Sequence, residues 1–422
     1  MKKSPVYIVF CETVSPLGIN SSILDNSLLN NYIATSKITQ FCPDGLLQTQ
    51  ACEVKQNLKE YLPLDGKDWQ SIAQHDRKFE LIAAVIGQHK PQLLELLQSI
   101  PTKRKGISLG IGANVFPMEN IALEVRDIST KGLFDTLIRV NQLVAPNFNT
   151  VFNHIDVYSQ FIQQELRSVQ SSKNILTACS SSTQSIAYAA SKIMLGQADA
   201  MIAGGTDSIL NNFAYISFGK LGVLTTESCK PFDINRTGAI AGECAGIAIL
   251  ASENAVKSMG VIPEYELIGF GNTLDAFKIT APNPNGFGVE NAMRKAISMS
   301  GILPREINYI NAHGTGTRSN DEVELKAIER VLGESASQTY VSSTKDRHGH
   351  SIAAAGIQEF NVLLSAMKNK IIPANLGTSK PLNSTLQIPI KTNIHQETRI
   401  GMTNNFAFGG VNCSLIIKNL AC

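Results

Sequence analysis

Strand-like and helix-like segments alternate along this chain, and that alternation limits its fold more than any other feature. Residues 174–180 have the pattern of a buried strand running into a turn, and residues 182–195 carry apolar side chains at helical spacing. Residues 199–204 return as a strand, so the three segments form a β-α-β unit. Cys179 then lies near the N-terminus of the helix. The pattern predicts an α/β architecture.

The second half of the chain has the same alternation. His313 and Lys345 each follow a short predicted strand, as Cys179 does in the first half. Open α/β sheets bind ligands just beyond strand ends, so we expect these side chains to take part in a site. The predicted strands are 264–270, 307–312, 339–344, 398–405 and 411–418, and the predicted helices are 287–300, 321–332 and 351–369.

Charge and hydropathy exclude two classes of protein. The 422 residues include 37 Lys and Arg against 35 Asp and Glu, with no basic run, which argues against a nucleic-acid partner. No apolar stretch reaches the roughly 18 residues of a membrane span. The N-terminal stretch lacks the apolar core and cleavage site of a signal peptide, and we interpret it as a first strand.

The eight cysteines show no CxxC pair and no zinc-like spacing with histidine. We therefore expect reduced thiols and a cytoplasmic protein. The segment HGH at 348–350 has the spacing of half a metal site, but acidic or cysteine ligands at suitable spacing are missing. We predict that no metal is bound.

Cys179 is the best candidate nucleophile on local grounds, because the positive end of a helix dipole favours a thiolate. The alternative is a buried structural cysteine. Ser180, Ser181 and Ser182 are rival nucleophiles, but a GxSxG elbow is absent and no Asp stands in the order of a hydrolase triad. His313 precedes a hydroxyl-rich loop, and taken alone it is better interpreted as a loop histidine beside turn glycines than as a catalytic residue.

Five segments together are far more specific than any one of them. In their order and spacing the chain resembles the β-ketoacyl-acyl-carrier-protein synthases, the elongating condensing enzymes of the thiolase superfamily, over nearly its whole length. The segments are ACSSS at 178–182, PFDINRTGAIAGECAG at 231–246, HGTGT at 313–317, KDRHGHSIAAAG at 345–356 and NNFAFGGVN at 404–412.

The resemblance implies a five-layered α-β-α-β-α fold of two similar halves, 1–260 and 261–422. It implies a homodimer, or a heterodimer with a related subunit, that works with an acyl-carrier protein. The phosphopantetheine arm is then carried by that partner, and the enzyme itself needs no cofactor. The implied reaction is decarboxylative condensation of an enzyme-bound acyl group with malonyl-carrier.

The resemblance also assigns catalytic roles. Cys179 matches the acyl-carrying nucleophile, and His313 and His350 match the pair that promotes decarboxylation. Lys345 belongs to the motif of the second histidine, and Glu359 matches a buried carboxylate that pairs with the lysine region.

Other matched residues surround the substrate. Phe408 matches a gating aromatic whose backbone N–H joins that of Cys179 in an oxyanion hole, and Phe406 belongs to the same turn. The hydroxyl groups that would contact the channel and the phosphopantetheine arm belong to Thr280, Thr315 and Thr317.

The combination of one cysteine and two histidines points to an elongating synthase, because thiolases carry a second cysteine at the position of His350. Two alternatives stay open. One is a type II polyketide or polyene ketosynthase that acts with a different partner subunit. The other is a non-catalytic partner that sets chain length, although such partners lack the nucleophile matched by Cys179.

Several expectations concern departures and surfaces. Cys244 and Ala407 stand where glycine is usual in the family. Ala407 therefore either narrows the conformations of the gate or occupies an ordinary conformation while Gly409 and Gly410 pivot.

We expect residues 110–117 to contribute to the pocket wall. Lys103, Arg104 and Lys105 are candidates for a basic docking patch, or else form a solvated loop.

Overall fold

The computed structural model of the chain describes residues 4–62, 67–113, 154–167 and 171–422. In these residues the strands are β1 (Tyr7–Val14), β2 (Thr35–Lys37), β3 (Gln50–Cys52), β4 (Lys105–Ile111), β5 (Ser171–Ile175), β6 (Ala200–Ser208), β7 (Ala241–Ala251), β8 (Tyr265–Leu274), β9 (Tyr309–Asn311), β10 (Tyr340–Ser342), β11 (Ile371–Ile372), β12 (Ile394–His395), β13 (Ile400–Ala407) and β14 (Val411–Asn419).

The helices of the described residues confirm the predicted alternation, and the predicted bounds in the second half are wrong by no more than four residues. They are α1 (Ser21–Leu29), α2 (Lys67–His75), α3 (Arg77–Gln98), α4 (Val157–Leu166), α5 (Ser181–Met194), α6 (Asn212–Lys220), α7 (Glu253–Met259), α8 (Phe287–Ser300), α9 (Arg318–Leu332), α10 (Lys345–His348) and α11 (Ala355–Lys368).

Two sets of five strands repeat one topology. The first set has the order β5-β4-β6-β7-β1 and the second the order β10-β9-β13-β14-β8. In each set the first three strands are parallel, and each of the last two runs antiparallel to the strand before it. The sets join where Tyr7 and Ile8 of β1 pair with β8. The two similar halves are therefore confirmed, whereas the exact division after residue 260 stays a prediction.

Helices separate and cover the two sets of strands. Helices α5 and α11 contact each other and strands of both sets, so they form the middle layer. Helices α3 and α4 pack on the first set, and α8 lies on the second set with α9 beside it. Residues 355–367 of α11 are all buried, as a helix between two sheets requires. The five-layered α/β prediction is confirmed.

The sequence predicted neither a membrane-spanning segment nor disulfide bonds. In the part of the chain that the structure describes, no helix combines the length and apolarity needed to cross a membrane. All eight cysteines are described and all are free. Cys179 is one of the buried ones, so its chemistry depends on its surroundings in the middle of the molecule.

Candidate active site

Cys179 occupies a tight turn between β5 and α5. The preceding residue, Ala178, has φ +47°, a left-handed conformation that is unfavourable for a residue with a Cβ. Strand β4 passes close to the start of the helix, because a Cβ on Gly110 would lie 2.2 Å from the backbone nitrogen of Ser182. The packing holds the turn so that the Cys179 side chain, 4% exposed, meets residues of the second half.

The structure brings Cys179, His313 and His350 together. The Nε2 atom of His350 lies 3.1 Å from the Sγ atom of Cys179, and the two imidazole ring centroids are 5.3 Å apart. The sulfur and one nitrogen of each ring all lie within 4.8 Å of one another. This spacing would also suit a metal ion, so the predicted absence of metal stays a prediction.

Burial controls the ionisation of all three groups. It raises the pKa of Cys179 to about 12, although the Lys345 charge and a hydrogen bond from the Phe408 backbone N–H act in the opposite direction. Burial, followed by the Lys345 charge, holds the pKa of His313 and of His350 well below the ordinary value. The site therefore contains a thiol and two neutral imidazoles, and the thiolate expected from the helix dipole does not prevail.

Lys345 and Glu359 form a buried ion pair behind His313, and each is 1% exposed. The Nζ atom of Lys345 also donates to the His313 carbonyl at 2.6 Å and lies 3.4 Å from the His313 Nδ1. A cation beside Nδ1 favours a lone pair on that atom. The ring proton of neutral His313 is then on Nε2.

The end of β13 and the turn that follows it contact Cys179 and His313. The Phe408 backbone N–H points to the Cys179 sulfur, and the Phe406 ring packs edge-on against His313 with centroids 6.1 Å apart. The Phe408 ring stacks on Phe218 of α6 at 6.5 Å. Ala407 between them has φ −110° and ψ 159°, which is ordinary extended backbone.

A cavity opens onto these groups. Thr280, Thr315 and Thr317 line it, and the hydroxyls of the last two are 2.8 Å apart. All ten residues predicted for the site are therefore in or directly behind one cavity. Its apolar wall near Cys179 includes Ile209, Phe218, Leu224, Ala241 and Ile352.

Two buried carboxylates that the sequence interpretation missed support the HGTGT loop. Glu324 accepts the backbone N–H groups of His313 and Gly314 at 2.7 and 2.8 Å. Asp321, which is on the same helix as Glu324, α9, accepts a hydrogen bond from the backbone N–H of Gly316. The available signal was their spacing of three residues, which places both on the face of α9 that the loop covers.

The proposed basic patch at 103–105 is wrong. Lys105 is buried and donates to the Leu97 carbonyl, and Arg104 is paired with Asp199. They lie at the start of β4, while the other end of that strand meets the Cys179 turn, roughly 16 Å away for five residues of strand. Of the predicted pocket wall at 110–117, residues 114–117 lie outside the described residues.

Similarity to known proteins agrees with this geometry. The family model "Beta-ketoacyl synthase, N-terminal domain" matches residues 141–255, and "Beta-ketoacyl synthase, C-terminal domain" matches residues 265–379. A 3-oxoacyl-[acyl-carrier-protein] synthase 2 of Rhizobium meliloti is 30% identical over 418 residues, covering 96% of both chains. Nodulation protein E of Rhizobium meliloti is 36% identical, over 58% of this chain and 61% of that protein.

Solved structures agree as well. A ketosynthase in complex with its chain length factor from Xenorhabdus doucetiae is 26% identical, with a TM-score of 0.77 over 99% of this chain and 98% of that one. A structure of a type II PKS acyl-carrier protein in complex with its ketosynthase gives a TM-score of 0.81 at 22% identity over 99% and 100%, which supports the fold. The chain belongs to the β-ketoacyl synthase family of condensing acyltransferases.

Proposed function

We propose that this β-ketoacyl synthase loads an acyl group onto Cys179 and condenses it with malonyl-acyl-carrier protein, releasing carbon dioxide and β-ketoacyl-carrier. The observation that carries the proposal is the thiol of Cys179 facing His350, with His313 beside it, at one end of a cavity lined by threonine hydroxyls. The names of the full-length relatives support the same reaction.

Loading is a transthioesterification. The Cys179 sulfur attacks the thioester carbonyl of acyl-carrier, the bond to the carrier sulfur breaks, and the thiol proton ends on the departing carrier thiol. His350 is placed to move that proton, since its Nε2 is 3.1 Å from the sulfur. The backbone N–H groups of Cys179 and Phe408 would hold the tetrahedral oxyanion, and such a donor is commonly worth about 3 kcal/mol.

Condensation uses the histidines. When malonyl-carrier loses carbon dioxide, the electron pair of the broken C–C bond develops as an enolate, and neutral imidazole N–H groups stabilise its oxygen in a dry site. The carbanion then attacks the acyl-Cys179 carbonyl, and the cysteine sulfur leaves. We propose that the reaction needs no metal and no cofactor held by the enzyme, because thiol, imidazoles and backbone donors supply each step.

The carrier would dock at the mouth of the cavity. Lys220, Lys278 and Arg318 are exposed, and each is one or two residues along the chain from a residue that lines the cavity, namely Phe218, Thr280 and Thr317. Their charge suits an acidic carrier surface. Reversing all three to Glu should raise KM for carrier more than it changes kcat. Lys103→Glu is the matched control, an exposed lysine at the far end of β4, and should have no effect.

The subunit composition distinguishes a synthase that is active by itself from one that needs a different partner subunit. We propose a homodimer in the cytoplasm, whereas ketosynthase structures with a chain length factor support a heterodimer as the rival. The protein purified alone should condense acyl-carrier with malonyl-carrier, with its oligomeric state measured by light scattering. Cys179→Gln should lose condensation and keep malonyl decarboxylation. Inactivity of the folded protein alone, restored by a second subunit, would favour the heterodimer.

A further inference from the structure

Asn405, a buried residue of β13, connects the helix that follows Cys179 to the carboxylate that pairs with Lys345. Its Nδ2 donates to the Glu359 Oε2 at 2.7 Å, and its Oδ1 accepts from the hydroxyl of Thr183. Thr183 is on α5, the helix that begins beside Cys179, and Glu359 is on α11. One carboxamide therefore spans the nucleophile helix, the strand that leads to the gate and the partner of Lys345.

The chemistry of its neighbours fixes the direction of this amide. An ionised carboxylate only accepts hydrogen bonds, so the amide N–H must face Glu359 and the amide oxygen must face the Thr183 hydroxyl. The other Glu359 oxygen, Oε1, faces the Lys345 ammonium. Both oxygens of a carboxylate that is 1% exposed thus receive a donor, which favours the ionised form.

We propose that Asn405 is a positioning residue that keeps Glu359 ionised as the partner of Lys345 and so holds the lysine on His313. The inference rests on the proposed function, in which His313 stabilises the enolate through Nε2. With Asn405 in place, the Lys345 ammonium stays between Glu359 and the His313 Nδ1 and carbonyl. The His313 proton then remains on the nitrogen that would face substrate.

The charges around Glu359 set the direction of the effect. Burial raises the pKa of Glu359, while Lys345 and then the Asn405 hydrogen bond lower it. Loss of the Asn405 donor therefore raises this pKa, and Glu359 takes up its proton at a higher pH. The other titratable groups that face Glu359 or Lys345 are Cys179, Cys244, Tyr309, His313, His348 and His350.

The test is the pH profile of malonyl-carrier decarboxylation in a Cys179→Gln background. Asn405→Ala should move the acid limb upward by about one pH unit, so that the rate at a pH on that limb falls by about tenfold, since one pKa unit corresponds to a tenfold change in the ionised fraction. With Cys179 intact, the same variant should still acquire an acyl group. Asn404→Ala is the matched control, because Asn404 faces the other side of β13 and contacts Met293.

A second pair of variants guards against misfolding. Thr183→Val removes the hydroxyl that orients the amide and should move the acid limb in the same direction, whereas Thr183→Ser keeps the hydroxyl and should not. An unshifted limb in Asn405→Ala, or an equal shift in Asn404→Ala, would overturn the inference. Failure of wild type and Cys179→Gln alike to decarboxylate malonyl-carrier would instead overturn the proposed function.

Discussion

The imidazole of His350 and the thiol of Cys179 are 3.1 Å apart, and the same burial favours the uncharged form of both. Desolvation raises the pKa of the thiol and lowers the pKa of the imidazole, because in each case the charged form loses its water. The free enzyme therefore holds a thiol–imidazole pair. Charge develops only when a thioester arrives and the proton moves.

This pair predicts how Cys179 reacts with an alkylating reagent. Because the thiolate is the nucleophile and the pKa of Cys179 is raised, the rate of iodoacetamide labelling at Cys179 should still be rising above pH 9. Peptide mapping gives the rate at each pH, and the exposed Cys42 in the same digest reports that the reagent is active. A plateau below pH 7 would indicate a thiolate–imidazolium pair instead.

Acylation should be confined to one cysteine. Incubation with acyl-carrier should add a single acyl mass to the intact protein, and fragmentation should place it on Cys179. Cys229 and Cys244 are buried, but neither lines the cavity as Cys179 does. Cys229→Ser and Cys244→Ser should therefore load normally, and label found on either residue with Cys179 unmodified would contradict the assignment.

Glu324 should give the protein a measurable pH dependence of stability. Burial raises its pKa from 4.5 to about 7, despite the N–H groups of Gly314 and His313 that stabilise the carboxylate. A pKa raised on folding contributes stability below about pH 4.5 that is lost as the pH rises through 7. Glu324→Gln should remove this decline, at most about 1.4 kcal/mol per pH unit for one group.

Urea unfolding between pH 5 and 7 measures this slope. Glu329 lies on the same helix and is the matched control, because burial raises its pKa but hydrogen bonds from Thr385 and Ser384 outweigh burial and lower it. The contribution of Glu329 to the free energy of unfolding is lost only as the pH falls through its lowered pKa. Glu329→Gln should therefore leave the change in the free energy of unfolding between pH 5 and 7 as it is in the wild type. An unchanged slope in Glu324→Gln would contradict the prediction.

The alternation of strands and helices could be predicted because that information is local, whereas the five-layered arrangement was implied by the resemblance to the β-ketoacyl synthases. Helix α8 was predicted with its exact bounds, since apolar residues at helical spacing mark residues 287–300. The charged run at 103–105 misled for a physical reason. A strand starts at Lys105 and buries that side chain, and three consecutive positive charges give no sign of it.

The site divides in the same way. Cys179, His313 and His350 stand in motifs that are readable as contiguous segments, so their approach could be expected. Asn405 could not be found, because its partners Thr183 and Glu359 are distant in sequence and each bond depends on the packing of the middle layer. The neutral state of the site is likewise a property of burial, which no motif encodes.

The gate gives the last prediction. Ala407 was expected either to restrict the gate or to have ordinary backbone angles, and its φ of −110° favours the second alternative. Gly409 has φ +80°, which costs a residue with a Cβ roughly 1–2 kcal/mol. Its N–H donates to the Ile279 carbonyl at 2.6 Å, which ties the turn to the neighbouring channel segment. The conformation that directs the Phe408 N–H to Cys179 therefore depends on Gly409.

Single-turnover loading of Cys179 with short, medium and long acyl-carriers tests the point. Ala407→Gly should load at the wild-type rate at every length, whereas Gly409→Ala should be slower by roughly tenfold, because the strain destabilises the oxyanion-hole conformation. Among the residues that the structure describes, Val411 alone lies within 4 Å of the added Cβ, at 3.8 Å, so a clash with them does not explain the loss. Gly196→Ala introduces similar strain, at φ +68°, far from the gate and controls for stability. Faster loading in Ala407→Gly, or equal rates for the two glycine variants, would place the pivot elsewhere.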